Sequence, residues 1–413
     1  MAPLFTVAVA VCSGVFAVSG SAAEPFLVHR FSEEPHGYYR RVPRDGFASF
    51  LERVRAGVFN LGGGDEKQQL RAILAALQVP VESQLLVYSA TSLQSGLIVP
   101  ANPRALYFNE EVYVGYVPGG RLEVAAIDPE LGPVFYLVNT GGGSRFEASR
   151  SERCMNCHAG RTSWQVPGLV AESVIPTTTG ASLDGFRREL TGHTIALKDR
   201  LGGWHVTGAH EQGPHLGNLL GEPAPGGYRT VENRPGARFD WGRYPVQTSD
   251  LLAHLLHEHQ IGFHNLVTLA VYRTRDALEA GSGSLREGDA AVLDEIAWRL
   301  VRYILFQNEA ALPPGGIRPD AGFVKAFESR RIAGESRISL RDLDLHSRLF
   351  RYRCSYMVQT PGFEALPAEM RRRVLKALDL ALKERGAPAE FGYLPVEEKR
   401  AIRGILREAR VLQ

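Results

Sequence analysis

Five consecutive residues, Cys154-Met155-Asn156-Cys157-His158, carry the most specific chemistry in the chain. Two thiols three positions apart lie about one helical turn from each other, so both sulfurs can reach the vinyl groups on one edge of a porphyrin. The histidine that follows then offers its imidazole to the iron as the proximal ligand. This C-x-x-C-H spacing is the attachment signature of c-type haem. It predicts haem c, one per chain, held by Cys154 and Cys157 with His158 on the metal. Three other readings stay open. A redox-active disulfide needs a lowered thiol pKa at a helix start in a thioredoxin-like setting, and the segments before Cys154 read instead as a meander. A structural zinc site needs a second ligand pair, and Cys354 is the only other thiol after residue 23. The string can also arise by chance.

What occupies the sixth iron position separates electron transfer from catalysis. Met155 lies inside the motif and cannot turn back to the metal; Met357 and Met370 read as packing residues. Histidine is the richer source. The segment from Ser249 to Ala277 places Leu252, Leu255, Leu256, His259, Phe263, Leu266, Val267 and Ala270 on one helical face, so His259 sits in an apolar stripe. It is the preferred distal ligand, with His264, His215 and His210 as alternates. The competing reading of His259 is a core histidine satisfied by a hydrogen bond. His257, on the neighbouring stripe with Ala253, Gln260, His264 and Thr268, reads as a solvated side chain. Trp204, Trp164 and Trp241 offer flat surfaces for a porphyrin, or plain core. His-Glu-x-x-His zinc chemistry fails, because Ile261 stands where the second histidine must be.

These residues need elements to place them. Phe47–Val58 and Asp65–Leu77 carry helical spacing, separated by Gly62-Gly63-Gly64. Strands are expected at Gln84–Tyr88, Ala105–Phe108, Glu111–Val117, Arg121–Ile127 and Pro133–Val138. The turns Pro118-Gly119-Gly120 and Asp128–Gly132 are short enough to make them an antiparallel meander. Ser144–Gly242 is rich in Gly and Pro and needs something else to organise it. Helices then follow at Ser249–Ala277, with Ser249 as N-cap, at Asp289–Ala311, near Leu340–Tyr352, at Ala368–Lys383 and at Val396–Ala409. The fold class is α+β. The divisions are a leader at 1–23, a mixed helix and β-meander unit at 24–143, a haem-attachment and loop-rich segment at 144–245, and a helical unit covering the haem at 246–413.

Residues 1–23 contain no charged side chain, and Leu4–Val18 is an apolar run followed by Ser19-Gly20-Ser21-Ala22-Ala23. That pattern reads as a secretory signal cut before Glu24, although no Lys or Arg precedes the run. The run falls short of the roughly 20 residues of a spanning helix. The mature chain is therefore expected outside the cytoplasmic membrane, in the periplasm or an equivalent compartment, with no later transmembrane span. Covalent haem attachment takes place on that same side. The 47 Lys plus Arg against 45 Asp plus Glu leave a charge of +2, too balanced for an electrostatic nucleic-acid binder. Only six of the basic residues are Lys, so pairing is dominated by Arg, which suits buried carboxylates.

The stretch Pro103-Arg104-Ala105-Leu106-Tyr107-Phe108-Asn109-Glu110-Glu111-Val112-Tyr113-Val114-Gly115, the C-x-x-C-H, the segment from Gly203-Trp204 to Asn218, and Glu258-His259-Gln260 with His264-Asn265 are together similar to a group of exported proteins. The chain resembles the large single-haem cytochrome c domain proteins of environmental bacteria over most of its mature length. The resemblance implies covalent haem and an extracytoplasmic site, and it names no reaction. His210, His215, His259 and His264 match the group's pattern; at His205 the group commonly has Tyr. Small cytochromes c differ in carrying the motif near the mature N-terminus, whereas about 130 residues precede it here.

Redox chemistry at iron is the expected function. Electron transfer with a redox partner protein comes first, with two imidazoles holding the iron. A peroxidase-like or small-molecule haem oxidoreductase with an open distal position is the alternative, favoured by chain length and surplus His and Arg. A haem-based sensor is the third class. Cys354 reads as a buried small hydrophobe, and Arg371-Arg372-Arg373 as a solvated helix start or a docking patch for an acidic partner.

Overall fold

The computed structural model describes residues 27–60, 64–139, 146–185, 192–208 and 214–412. The expected leader and His210 lie outside them. The fold is α+β, with an antiparallel sheet in the N-terminal half and helices in the C-terminal half.

Two helices open the described chain, α1 (Gly46–Arg55) and α2 (Glu66–Ala76). The Asp65 carboxylate accepts from the Gln68 N–H while Gln68 returns its amide oxygen to the Asp65 N–H, a reciprocal cap that fixes where α2 begins. The meander follows as β1 (Leu85–Val87), β2 (Arg104–Phe108), β3 (Val112–Tyr116), β4 (Leu122–Asp128) and β5 (Gly132–Asn139), then β6 (Glu147–Arg150). Gly119 and Gly132 supply the left-handed backbone of its turns, at φ of 78° and 72°. After the short α3 (Met155–His158) come the paired strands β7 (Val174–Pro176) and β8 (Ser182–Gly185), and then β9 (Trp204–His205), which joins the outer edge of β1. The main sheet runs β6-β5-β4-β3-β2-β1-β9. β10 (Leu219–Ala224) and β11 (Gly227–Glu232) form a separate hairpin.

The sheet takes β6 and β9 from beyond residue 143. The expected divisions at 143 and 245 therefore mark changes in composition, while one continuous apolar core runs across both. β3 is buried along its whole length because both of its faces are covered. α1 packs on one face, with Phe47 against Tyr136 at 4.9 Å between ring centres.

The other face meets α4 (Leu251–Ala280), in which every residue from Leu251 to Thr274 is buried. A stripe of apolar residues was expected to bury one side of this helix. Its polar residues are buried as well, and each named here has a protein partner, as a dry interior demands. His254 Nε2 reaches the His205 carbonyl at 2.9 Å, Gln260 lies between the Tyr113 and Tyr356 hydroxyls, and Glu258 pairs with Arg200 at 2.5 Å. Asp250, rather than Ser249, caps α4, accepting from the N–H groups of Leu252 and Ala253. Ser249 Oγ instead donates to the His205 carbonyl and accepts from Leu86 N–H, stitching the helix entry to the sheet edge.

α5 (Glu287–Ile304), α6 (Ala321–Glu328), the one-turn α7 (Pro361–Glu364), α8 (Ala368–Ala381) and α9 (Val396–Glu408) complete the chain. The helix expected over Leu340–Tyr352 is irregular, closed by a Leu343–Phe350 bridge. Asp342 and Asp344 bond backbone N–H groups locally there and hold turns instead. Among the described residues no helix is long and apolar enough to cross a membrane.

Candidate functional site

A cavity of about 420 Å³ opens over the face of the sheet opposite α1. Its floor is set by strand register. Phe108, Tyr113, Ala125 and Phe135 stand in one cross-strand row, and Leu106, Gly115 and Glu123 in the next. Gly115 and Ala125, at the centre, leave the hollow. The missing side chain of Gly115 also lets Arg104 of β2 cross over β3 to Glu123 of β4, an ion pair at 2.8 Å. Glu123 is held further by Ser92 Oγ at 3.0 Å and Gln94 Nε2 at 3.2 Å. The walls are His257 and Ile261 of α4, Trp204 of β9 and the segment from Leu169 to Glu172; Arg153, Cys154, Cys157 and His158 form the rim.

α3 is a single turn, and its brevity fits the motif, because one turn suffices to bring the two sulfurs to one side. Cys157 is exposed, Cys154 half-buried, and both are free thiols. Burial pushes the Cys154 thiol up, the opposite of what a reactive dithiol needs. Cys354 is fully buried apart from the cavity, and among the described residues no cluster of three metal-binding side chains exists.

His158 is the best-defined group. Its Nδ1–H donates to the Gly168 carbonyl at 2.9 Å, and Gly168 N–H returns a bond to the His158 carbonyl at 2.7 Å. Because the carbonyl can only accept, Nδ1 carries the proton and Nε2 keeps its lone pair. Nε2 has no hydrogen-bond partner among the described residues. The ring lies on Phe135, 4.3 Å between centres, and burial lowers its pKa to about 4. A neutral imidazole of fixed tautomer, with Nε2 available at the cavity, results. Metal-bound histidines are oriented in this way.

The carbonyl that fixes His158 is itself positioned from α4. Asn265 Oδ1 accepts from Leu169 N–H and its Nδ2 donates to the Leu169 carbonyl, both at 2.8 Å. Gly168 is required beneath it, since a Cβ there would lie 2.4 Å from Ser163 Cβ and 2.9 Å from Asn265 Oδ1. Replacing Asn265 by Ala strands two buried backbone groups and should lower stability by about 2–4 kcal/mol, measurable by urea denaturation.

Of the histidines offered as distal ligands, His259, His264 and His215 do not line this cavity. His259 lies deeper, its Nδ1 2.9 Å from His193 Nδ1 and its Nε2 2.7 Å from Ser355 Oγ, stacked on Phe306 and Tyr303. With both ring nitrogens bonded to protein, it is a core histidine, and the preferred distal assignment is corrected. His264 Nε2 donates to the Glu110 carbonyl at 2.8 Å. His215 Nδ1 accepts from Gly217 N–H at 3.0 Å. His205 is buried between Tyr88 and Phe239. Trp204 lines the cavity, whereas Trp164 lies under Arg299 and Trp241 packs on Phe239. His257, which was expected in solvent, is 4% exposed and forms part of the cavity wall.

Comparison with protein families, curated proteins and solved structures finds no match for this chain.

Proposed function

We propose that the chain is an exported single-haem c-type protein that transfers electrons, with haem bonded through Cys154 and Cys157 and His158 as proximal ligand. The observation that carries this reading is the tautomer of His158: Nδ1 is committed to the Gly168 carbonyl, and Nε2 is left with its lone pair at a cavity both cysteines border. The residues present suit the group. Around Ala125 the cavity lining is largely apolar, with Leu106, Phe135, Leu169 and Ile261 among its residues, which would suit the flat face of a porphyrin. Bound there, a haem supplies a one-electron iron couple.

Cys157 and Arg153 are exposed at the rim, so the attachment edge reaches solvent and a redox partner protein. The near-neutral charge argues against nucleic acid. The Arg371–Arg373 run is mostly tied up: Arg372 and Arg373 pair with Glu369, and Arg373 also with Asp294. It therefore gives little support to an acidic docking patch. The second reading, a haem oxidoreductase, is favoured by the polar groups lining the cavity, namely Arg104, Glu123, Tyr113 and His257.

Mass spectrometry of the protein matured in a host competent for cytochrome c assembly tests the proposal. The expected result is a polypeptide heavier by one haem, and loss of that added mass in Cys154→Ser/Cys157→Ser. An unmodified wild-type chain rejects it.

A further inference from the structure

We infer that Asn265 of α4 lowers the reduction potential of the iron by acting on His158 through one peptide group, an assignment that rests on the haem reading above. The peptide is the one that joins Gly168 to Leu169. It is trans, the one cis bond among the described residues being Glu34–Pro35, so its C=O and its N–H point in opposite directions. At one end the Gly168 carbonyl accepts from His158 Nδ1 at 2.9 Å; at the other the Leu169 N–H donates to Asn265 Oδ1 at 2.8 Å. The side-chain amide, the peptide and the imidazole therefore form a single chain of hydrogen bonds. Bonds in such a chain polarise one another, so an engaged N–H makes its own carbonyl a stronger acceptor. The bond to Nδ1 tightens and Nε2 becomes the more basic donor. A more basic ligand favours ferric over ferrous iron, which lowers the potential.

The surroundings suit this role. Asn265 is 1% exposed, so little water competes for either bond. Its Nδ2 donates to the Leu169 carbonyl at 2.8 Å, and that second bond turns Oδ1 toward the N–H. Leu169 belongs to no strand, and the amide of Asn265 supplies what a neighbouring strand would otherwise give. The chain reverses through Trp164 and Gln165, at φ of 54° and 61°, to bring Gly168 back to His158. Gly168 N–H then bonds the His158 carbonyl at 2.7 Å, so the peptide groups on both sides of Gly168 are fixed. Asn265 does not border the cavity. It is a positioning residue, and its influence on the iron passes through the Gly168–Leu169 peptide alone.

The test is the reduction potential of the mature holoprotein, with its added haem mass, for wild type, Asn265→Ala, Asn265→Asp and Thr274→Val. Thr274 lies on the same helix, fully buried, and its hydroxyl donates to the Ala270 carbonyl at 2.7 Å; its variant controls for loss of stability. Asn265→Ala should keep the haem and shift the potential to a more positive value. Asn265→Asp, which keeps an oxygen toward the Leu169 N–H, should lie below Asn265→Ala, and Thr274→Val should match wild type. A haem-bearing Asn265→Ala with the wild-type potential overturns the inference. So does an equal shift in Thr274→Val, or an Asn265→Asp at or above Asn265→Ala. If Asn265→Ala does not fold, nuclear magnetic resonance of the reduced wild type under carbon monoxide decides: the Leu169 N–H and the His158 Nδ1–H should both lie downfield and exchange slowly with solvent, and a Leu169 N–H that exchanges like an exposed amide rejects the chain of bonds. A wild-type polypeptide without haem overturns the underlying reading as well, and the mass separates that case from the others.

Discussion

Ala125→Phe should leave a folded protein that holds little or no haem. Ala125 is the small member of the row formed with Tyr113 and Phe135, and it borders the cavity. A phenyl ring at that position projects into space that is empty of protein, so it meets few atoms and fills a void. Overpacking a tight core usually costs about 1–3 kcal/mol; filling a hollow costs less and can stabilise. The apoprotein should therefore unfold at the same urea concentration as wild-type apoprotein, or higher. The haem, by contrast, loses its place. The readout is the ratio of Soret to protein absorbance in folded, purified material, with urea denaturation as the control for folding. A wild-type ratio and spectrum in this variant would show that the cavity over Ala125 is not where a haem lies, even if both thiols carry it.

How much of this was visible in the sequence follows from how local each signal is. The meander was legible because its turns are written in Gly and Pro and its strands in alternating Val, Tyr and Leu; β2 to β5 fall within a residue or so of expectation. The region from Leu340 to Tyr352 misled because Leu340, Leu349 and Phe350 plug the core from an irregular segment, so apolar spacing there reports burial and not helical form. The pentapeptide stands out because its five residues are contiguous, and α3 places Cys154, Cys157 and His158 along one cavity. The cavity was not legible, since it depends on which strand stands opposite Gly115 and Ala125. The placement of His257 and His259 shows the limit most clearly. Two positions apart, they point about 200° away from each other around α4. An apolar stripe identifies the core-facing side only when a helix has one buried face. α4 has none exposed between Leu251 and Thr274, so the stripe holding His259 faces Phe306 and Ser355, while His257 faces the sheet.

The largest loss of stability is expected from Arg200→Leu. Arg200 Nε lies 2.5 Å from Glu258 Oε2, and both side chains are 4% exposed. Arg200 also belongs to the stretch that leads into β9 and its cavity-wall residue Trp204, while Glu258 follows His257 on α4. The pair therefore locks one wall of the cavity to the other. Removing the guanidinium leaves a carboxylate in the interior without that counter-charge, a change that costs about 3–5 kcal/mol in buried pairs. Glu258→Leu alone should cost a similar amount for the mirrored reason. The double variant Arg200→Leu/Glu258→Leu should recover much of the loss, because the desolvation of two charges disappears with their attraction. Urea denaturation of the four proteins closes the cycle. If the two single losses simply add in the double variant, the pair is not coupled, and the alignment of Trp204 with His257 rests on apolar packing alone.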